Sequence, residues 1–203
     1  MRSPIARTSA RAYSFGASYN RGPLAFGVSY LQIDGSNGVN TSGSIDTSES
    51  TANGVGGFEL GSSVERVVAA GVNYALGSSV LGFVYSHSQY EGTDAFGANG
   101  GMMTFDNFEV NGMYHVTPVL KVGVGYVYTD AHVTQTTTYG THPTWNQVNV
   151  QLDYSLSKRT DLYFESMYQH VTGKGYVAFI DTAGAASSDA NQVVATIGMR
   201  TRF

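Results

Sequence analysis

The sequence predicts an all-β fold, an antiparallel up-and-down transmembrane β-barrel with about nine strands in this chain. Nine segments alternate apolar and polar residues with the period of two that is typical of strands. The connections between them alternate between tight turns and long polar stretches, and tyrosines recur at both ends of the apolar faces. Membrane barrels place short turns at one end, long loops at the other and aromatic side chains at both interfaces.

The composition excludes several other classes of protein. The 203 residues include 25 glycines, 14 tyrosines and only 13% charged residues, which argues against a helical protein. No apolar run reaches the roughly 18 residues that a transmembrane helix needs. The net charge of −4 is too weak to indicate a nucleic-acid partner. The absence of cysteine excludes a disulfide scaffold and a thiolate metal site.

The nine strands are identified by faces that carry no charged residue. In chain order these faces are Tyr13, Phe15, Ala17 and Tyr19; Leu24, Phe26, Val28 and Tyr30; Val68, Ala70, Val72 and Tyr74; Leu81, Phe83 and Tyr85; Phe108, Val110, Gly112 and Tyr114; Leu120, Val122, Val124, Tyr126 and Tyr128; Val148, Val150, Leu152 and Tyr154; Leu162, Phe164, Ser166 and Tyr168; and Val193, Ala195, Ile197, Met199, Thr201 and Phe203. A soluble sandwich that buries its apolar faces has the same alternation, so the alternation alone leaves both architectures open.

The connections distinguish the two architectures. Tight turns join the strands in pairs, around the sequences NRGP, LGSS, VTP and SKRT. Long polar stretches, roughly residues 32–63, 89–104, 130–144 and 172–190, join each pair to the next. A chain that crosses a membrane up and down collects periplasmic turns at one end and extracellular loops at the other. A Greek-key sandwich has no reason to alternate in this way.

Eight tyrosines are predicted to form an aromatic girdle at each end of the strands. The first four close strands that run toward short turns, and the second four close strands that run toward long loops: Tyr19, Tyr74, Tyr114 and Tyr154, then Tyr30, Tyr85, Tyr128 and Tyr168. Tyrosine combines an apolar ring with a hydroxyl that needs water, which suits a bilayer interface.

Three phrases resemble the trimeric general porins of gram-negative bacteria, and the beta-proteobacterial branch most closely. They are RAYSFGASYNRGPLAFGVSYLQ at residues 11–32, LSKRTDLYFESMYQ at 156–169 and VVATIGMRTRF at 193–203. Porins of this type have sixteen strands, and counting back from Phe203 matches these nine strands to the last nine. The resemblance therefore implies that residues 1–203 are the C-terminal part of a longer porin barrel and that residues 1–10 end an extracellular loop.

The resemblance also implies a function, a location and partners. It implies a passive diffusion channel for small hydrophilic solutes and ions in the outer membrane, surrounded by outer-membrane lipid and lipopolysaccharide. It implies a homotrimer in the full-length family, and assembly by the barrel-assembly machinery through a C-terminal strand whose signal is Phe203. This match leaves out the early strands and the inward-folded constriction loop of the family, which are therefore expected to be absent here. The signal peptide is expected to be absent as well, because MRSPIARTSARAYS has no apolar core.

Strand direction leads to the same expectation of an incomplete barrel. The first and ninth strands both run toward the short-turn end, so closing nine strands would pair them in parallel, whereas bacterial barrels have even strand numbers. Left open, two edges of unpaired backbone groups would face lipid, each group costing several kcal/mol.

Charged residues on the polar faces are the candidate pore lining: Glu109, Lys121, Asp153, Glu165, Arg200 and Arg202. In a porin they would set the field that ions feel, while the plainer interpretation is solvated wall residues with little individual effect. Both signs are present, so the ion preference stays open. The long loops are acidic, at Asp34, Asp46, Glu49, Glu59, Glu91, Asp94, Asp181 and Asp189. Their spacing is not that of a calcium site, so solvated charge is expected.

The sequence predicts no catalytic residue, bound metal or cofactor. His87, His115 and His170 fall near strand ends, and His132 and His142 flank one loop. Neither the nucleophile pattern GxSxG nor the metalloprotease pattern HExxH occurs.

Two other functions stay open at this point. One is a non-channel outer-membrane barrel of the adhesin or translocator type, which needs a passenger or a plug helix. The other is a soluble ligand-binding β-barrel, whose interior would be the apolar face.

Overall fold

The computed structural model describes residues 11–34, 62–93 and 95–203, and it confirms all nine predicted strands. The strands are β1 (Arg11–Arg21), β2 (Leu24–Asp34), β3 (Val64–Leu76), β4 (Ser79–Thr93), β5 (Gly101–His115), β6 (Leu120–Val133), β7 (Thr144–Ser155), β8 (Thr160–Thr172) and β9 (Asn191–Thr201). Two single-turn 3₁₀ helices, Ala95–Gly97 and Asp181–Ala183, lie in the connections after β4 and β8. Within the described ranges, no helix has the length and apolar character needed to span a membrane.

All nine strands form one antiparallel sheet in chain order, so every strand pairs with its neighbours in the sequence. This is the predicted up-and-down topology. Among the described strands, β1 and β9 each pair on one side only. The ladder is regular except for a shift between Glu91 and Thr93 of β4, where Gly92 adopts a left-handed conformation (φ +66°) that suits glycine.

Short turns and longer connections lie at opposite ends of the sheet, as the sequence predicted. Turns 22–23, 77–78, 116–119 and 156–159 lie at one end, called the short-turn end here. At the other end, called the long-loop end, β2, β4, β6 and β8 end and the following strands begin, and the described connections there are 62–63, 95–100, 134–143 and 173–190. Gly22 and Gly77 begin the two-residue turns with φ of +56° and +62°, a region that other residues rarely adopt.

The predicted boundaries of the long connections were wrong for 89–104 and 130–144. β4 continues to Thr93 and β5 begins at Gly101, which leaves only residues 94–100 between them. β6 likewise continues to Val133. These extensions are rich in polar residues, and for that reason the sequence predicted loops there. In the structure their backbone groups are satisfied by cross-strand pairing, such as that of Gln89 with Thr104. Most of the connection 32–63, and residues 1–10, lie outside the described residues.

The predicted apolar faces are exposed rather than buried. Phe15, Val124 and Ile197 are 66%, 52% and 80% exposed, so this outer face has no protein layer over it in the described residues. The buried core lies on the opposite, inner face and beneath the connections at the long-loop end. Its members are Ala95, Ala98, Met103, Ala131, Val133, Trp145, Val171, Tyr176 and Ala178.

Candidate functional site on the inner face of the sheet

The inner face of the sheet carries the predicted pore-lining residues. Because side chains alternate along a strand, five of the predicted residues project opposite to the outer face. They are Glu109 on β5, Lys121 on β6, Asp153 on β7, Glu165 on β8 and Arg200 on β9. Arg202 follows the end of β9, and its backbone N–H donates to the carbonyl of Arg159 (2.9 Å).

The structure joins two of these residues in an ion-pair cluster near the short-turn end. The Arg200 guanidinium donates to both carboxylate oxygens of Asp161, with Nη2–Oδ2 of 2.6 Å and Nε–Oδ1 of 3.2 Å. It also reaches Asp153 Oδ2 at 3.4 Å. The two-pronged geometry with Asp161 is the stronger contact. Lys121 stands beside Asp153 in the register of β6 and β7, so charges of both signs are interleaved at this end.

Asp161 belongs to the site but escaped the sequence analysis. It directly follows the SKRT turn, and the predicted apolar face of this strand begins one residue later, at Leu162. The useful signal was its cross-strand position, because the register places it opposite Arg200. That register becomes readable once β9 is known to pair with β8.

The middle of the inner face is an acidic groove whose polar lining consists mainly of amides. Glu109 and Glu165 both line this open groove of about 630 Å³. The Glu109 carboxylate accepts a hydrogen bond from Asn111 Nδ2 at 2.7 Å. Gln147 Nε2 donates to Asn149 Oδ1 at 2.9 Å, which orders the amides beside the groove. Carboxylates and amides in this arrangement can form hydrogen bonds with water along the face, and the carboxylates can attract cations.

An aromatic cluster covers the inner face at the long-loop end. Phe96, from the connection after β4, packs on Tyr176 with ring centroids 4.9 Å apart. Tyr176 contacts Trp145 of β7 edge to face, at 5.7 Å and 87°. The Tyr176 hydroxyl donates to the carbonyl of Gly140 (2.9 Å), and Thr136 Oγ1 donates to that of Phe96 (2.8 Å). These contacts tie three connections into one cap.

The cap is a finding that the sequence analysis missed. Polar residues dominate the connections, so the four stretches were read as solvated loops. The available signal was aromatic residues inside them, namely Phe96, Tyr139, Tyr176 and Phe179. Burial, and to a smaller extent the electrostatic effect of the neighbouring Tyr139 phenol, raises the pKa of Tyr176 to about 12. The Tyr176 phenol therefore stays neutral at physiological pH.

The first four tyrosines of the predicted girdles lie near strand ends, and their membership of a girdle stays a prediction. Tyr19, Tyr74, Tyr114 and Tyr154 lie within two residues of strand ends at the short-turn end and are 45–62% exposed.

For the other four girdle tyrosines, the claim that they close their strands was wrong. β2, β4, β6 and β8 continue for four, eight, five and four residues beyond Tyr30, Tyr85, Tyr128 and Tyr168. The strands continue because polar residues beyond the tyrosines still pair across the sheet. Three of the hydroxyls have polar partners: Tyr30 with Gln32, Tyr85 with Asp106 and Tyr168 with Asn191, at 2.6–2.8 Å. Their membership of a girdle stays a prediction.

Four of the five histidines form polar pairs rather than one centre, and the buried Nδ1 of His115 has no hydrogen-bond partner. His87 Nδ1 lies 2.8 Å from Asp106 Oδ1, and His170 Nδ1 lies 2.9 Å from Asn191 Oδ1. His132 and His142 approach each other across their hairpin, with Nδ1 atoms 3.3 Å apart. In the part of the chain that the structure describes, no group of three or more potential metal ligands occurs.

Several acidic loop residues have partners within the chain. Glu91 pairs with Arg66, Asp34 accepts from Gln32 Nε2 (2.7 Å), and Asp189 accepts from the backbone N–H of Asn191 (2.6 Å). These contacts occupy acceptors that were expected to be solvated. The remaining predicted acids, Asp46, Glu49, Glu59, Asp94 and the Asp181 side chain, lie outside the described residues. Phe203 is fully exposed at the end of the chain.

Comparisons with known proteins agree with the fold and identify a family. The model of the Gram-negative porin family matches residues 8–175. The fold is similar to that of in-vitro folded OmpT, an outer membrane protein of Vibrio cholerae, with a TM-score of 0.63 and 18% identity over 98% of this chain and 57% of that one. It is also similar to an anion-selective porin from Comamonas acidovorans, with a TM-score of 0.63 and 18% identity over 95% of this chain and 49% of that one.

A third solved structure, OmpT of Vibrio cholerae in a trimer form, gives a TM-score of 0.61 and 16% identity over 95% of this chain and 56% of that one. The chain therefore spans about half the length of the solved structures it matches. No curated protein matches the chain.

Proposed function

Because the chain belongs to the Gram-negative porin family, we propose that it forms part of a passive diffusion channel for small hydrophilic solutes and ions in the outer membrane. The observation that carries the proposal is the contrast between the two faces of the sheet. The outer face exposes large apolar side chains such as Phe15 and Ile197, while the inner face carries amides and charges. Lipid covers the first face, and water fills the space beside the second.

Passage is by diffusion and needs neither a cofactor nor catalysis. Solutes move along the inner face, and the charged side chains bias which ions accumulate there. The six predicted pore-lining residues act in this way, with Glu109 and Glu165 bordering the middle of the path. Arg200 and Asp153 contribute less to the field because they lie in one ion-pair cluster with Asp161.

The proposal includes a larger barrel, of which residues 1–203 are the C-terminal part. β1 and β9 run in the same direction, because an antiparallel sheet reverses direction at each strand and nine is odd. Antiparallel closure therefore needs an odd number of further strands, and seven would complete the sixteen that are typical of a porin. Unpaired strand edges in lipid are costly, which favours completion over an open sheet.

The proposed partners follow from the same architecture. Outer-membrane lipid and lipopolysaccharide contact the outer face, with the eight tyrosines at the interfaces. The barrel-assembly machinery recognises the last strand, ending at the exposed Phe203. The complete protein assembles as a homotrimer, as the solved trimer form of a structural neighbour suggests.

Single-channel recording in planar lipid bilayers tests the channel. The complete, trimeric protein should give discrete and reproducible conductance steps, and replacing both Glu109 and Glu165 with glutamine should alter their ion selectivity. A folded, membrane-inserted protein without conductance would contradict the channel and favour a structural or interaction barrel.

The proposed incompleteness has its own test. The 203-residue chain alone, refolded in detergent, should aggregate or give ill-defined conductance, because exposed strand edges promote association. A discrete single-channel step from this chain would refute the proposal that further strands are needed.

A further inference from the structure

A cavity of about 310 Å³ lies on the inner face toward the long-loop end and shares Trp145 with the aromatic cap. It spans strands β4 to β8 and is open rather than enclosed. Its lining residues on these strands all belong to the inner face. A volume of this size is at the small end of the range for ligand pockets.

Aromatic side chains form one side of the cavity. Tyr90 and Phe105 meet edge to face, with centroids 6.0 Å apart at 84°, and Phe105 lies 6.0 Å from Trp145. Tyr90 and Phe105 are only partly buried, so their rings keep surface toward the cavity. Mutual packing of the three rings makes this side a firm apolar surface.

The roof is fixed by hydrogen bonds from the connection between β8 and β9. Phe179 lines the cavity, and its backbone N–H donates to Gln169 Oε1 at 2.7 Å. Gln169 is buried, and its Nε2 donates to Gln147 Oε1 at 2.9 Å. The connection therefore forms a defined cover on this side of the wall.

Neutral polar groups form the floor. Thr129 Oγ1 donates to Asn107 Oδ1 at 2.6 Å, and Asn107 Nδ2 approaches Ser86 Oγ at 3.2 Å. Ser88 and Gln169 complete the polar lining. Every side chain that lines the cavity is uncharged. A bound ion would lose water here without gaining a countercharge, which is costly, whereas hydroxyl groups can exchange hydrogen bonds with amides at little cost.

We propose that this cavity is a binding subsite for a small neutral polyhydroxylated solute of about the size of a monosaccharide. This proposal rests on the proposed channel, because the solute reaches the inner face through the pore. The aliphatic C–H face of the solute packs on Phe105 and Tyr90, while its hydroxyl groups bond to the amides of the floor. The subsite favours solutes that combine an apolar face with hydroxyl groups, and it disfavours charged solutes because its lining offers no countercharge.

Binding can be measured with Trp145, which is the only tryptophan of this chain and lines the cavity. The complete protein in detergent is titrated with glucose and, separately, with gluconate, which has the same number of carbons and a negative charge. The emission of Trp145 is isolated by subtracting that of the Trp145→Phe variant. Glucose should give a saturable change, and gluconate should bind at least about tenfold more weakly.

Two variants and one control test the location of the subsite. Phe105→Ala should weaken glucose binding about tenfold, the equivalent of 1.4 kcal/mol. Asn107→Leu should weaken it similarly while keeping the volume of the side chain. Gln151→Ala, in the middle of the wall and outside the cavity, should leave binding unchanged. Heat-modifiability on a gel identifies which variants are folded, so that a loss of binding is counted only for a folded barrel.

The outcomes separate this proposal from the channel itself. Normal conductance without a saturable glucose response would overturn the subsite and leave the channel standing, as would equal binding of gluconate or unchanged binding in both folded variants. A saturable glucose response in a protein without conductance would support the subsite and contradict the channel.

Discussion

Replacing Val124 with arginine should destabilise the folded barrel by about 2–4 kcal/mol, because this side chain lies near the middle of the apolar band. Val124 is on the outer face of β6 and is 52% exposed. Leu120, four residues earlier, is paired with Tyr154 of the predicted girdle at the short-turn end. Tyr128 of the other predicted girdle follows four residues later. The position is thus equally far from both predicted girdles.

The geometry sets the expected magnitude. Four residues at a rise of about 3.4 Å, along a strand tilted by about 40°, leave roughly 10 Å of apolar height on each side of Val124. A guanidinium at this depth has to stretch toward an interface or draw water into the membrane. The cost should therefore approach the midplane value and fall for substitutions closer to either girdle.

Gln151 provides the matched control. It lies opposite Gly123 in the register of β6 and β7, at nearly the same height as Val124, but on the inner face. Its other cross-strand neighbour is Glu165, so Gln151→Arg places opposite charges side by side and should change stability by less than about 1 kcal/mol. Urea-dependent folding of the complete protein into lipid vesicles measures both values. Equal costs at the two positions would refute the assignment of the inner and outer faces.

Three further predictions follow from the wall and the cap. A carboxylate at Glu109 or Glu165 that lies about 10 Å from a passing ion has an electrostatic interaction energy of about 0.4 kcal/mol with it in water, and about a third of that at 0.1 M salt. Their joint replacement by glutamine should lower the cation-to-anion permeability ratio about two- to threefold in reversal-potential measurements, and an unchanged ratio would exclude them from the ion path. A tag inserted at Ala185 should be labelled on intact cells because the long loops face the outside, whereas a tag at 77–78, in a short turn, should not be labelled. Labelling of the turn would show that the topology is the reverse of the proposed one. Burial raises the pKa of Tyr176 from 10 to about 12, so the folded cap holds the phenolic proton more tightly than the unfolded chain does. The stability of the cap, followed by Trp145 emission, should therefore fall as pH rises from about 10 to 12. A Tyr176→Phe variant with the same pH response would contradict this cause.

The sequence predicted the strands and faces of the barrel because those features depend on local alternation. Val124 and Gln151 alternate with their neighbours regardless of what the rest of the chain does, so each can be assigned to a face from a few residues. The strand ends were predicted less well, since polar residues such as Gln89 suit a solvated strand as well as a loop. The cross-strand partner decides between them, and a partner cannot be read from one segment.

The features that the sequence did not predict depend on contacts between distant segments. Arg200 was identified as a wall residue, but its pairing with Asp161 requires the register of β8 and β9. The cap requires Phe96, Trp145 and Tyr176 to meet, although they come from three different parts of the chain. Each of these aromatic residues lies in or beside a polar stretch, where local composition outweighs single apolar residues. Only the common inner face makes them one cluster.

The positions of these features along β5 explain how two kinds of selection can act in one wall. Phe105 lines the neutral cavity and Glu109 borders the acidic groove, four residues farther along the strand. At a rise of about 3.4 Å per residue they are about 14 Å apart, which exceeds the Debye length of about 8 Å at physiological salt. The field of Glu109 is therefore largely screened at the cavity, and a neutral solute binds there without competing against ions drawn to the groove. Along β5, the neutral cavity lies nearer the long-loop end than the acidic groove does, so a solute that enters from that end reaches the cavity before the groove.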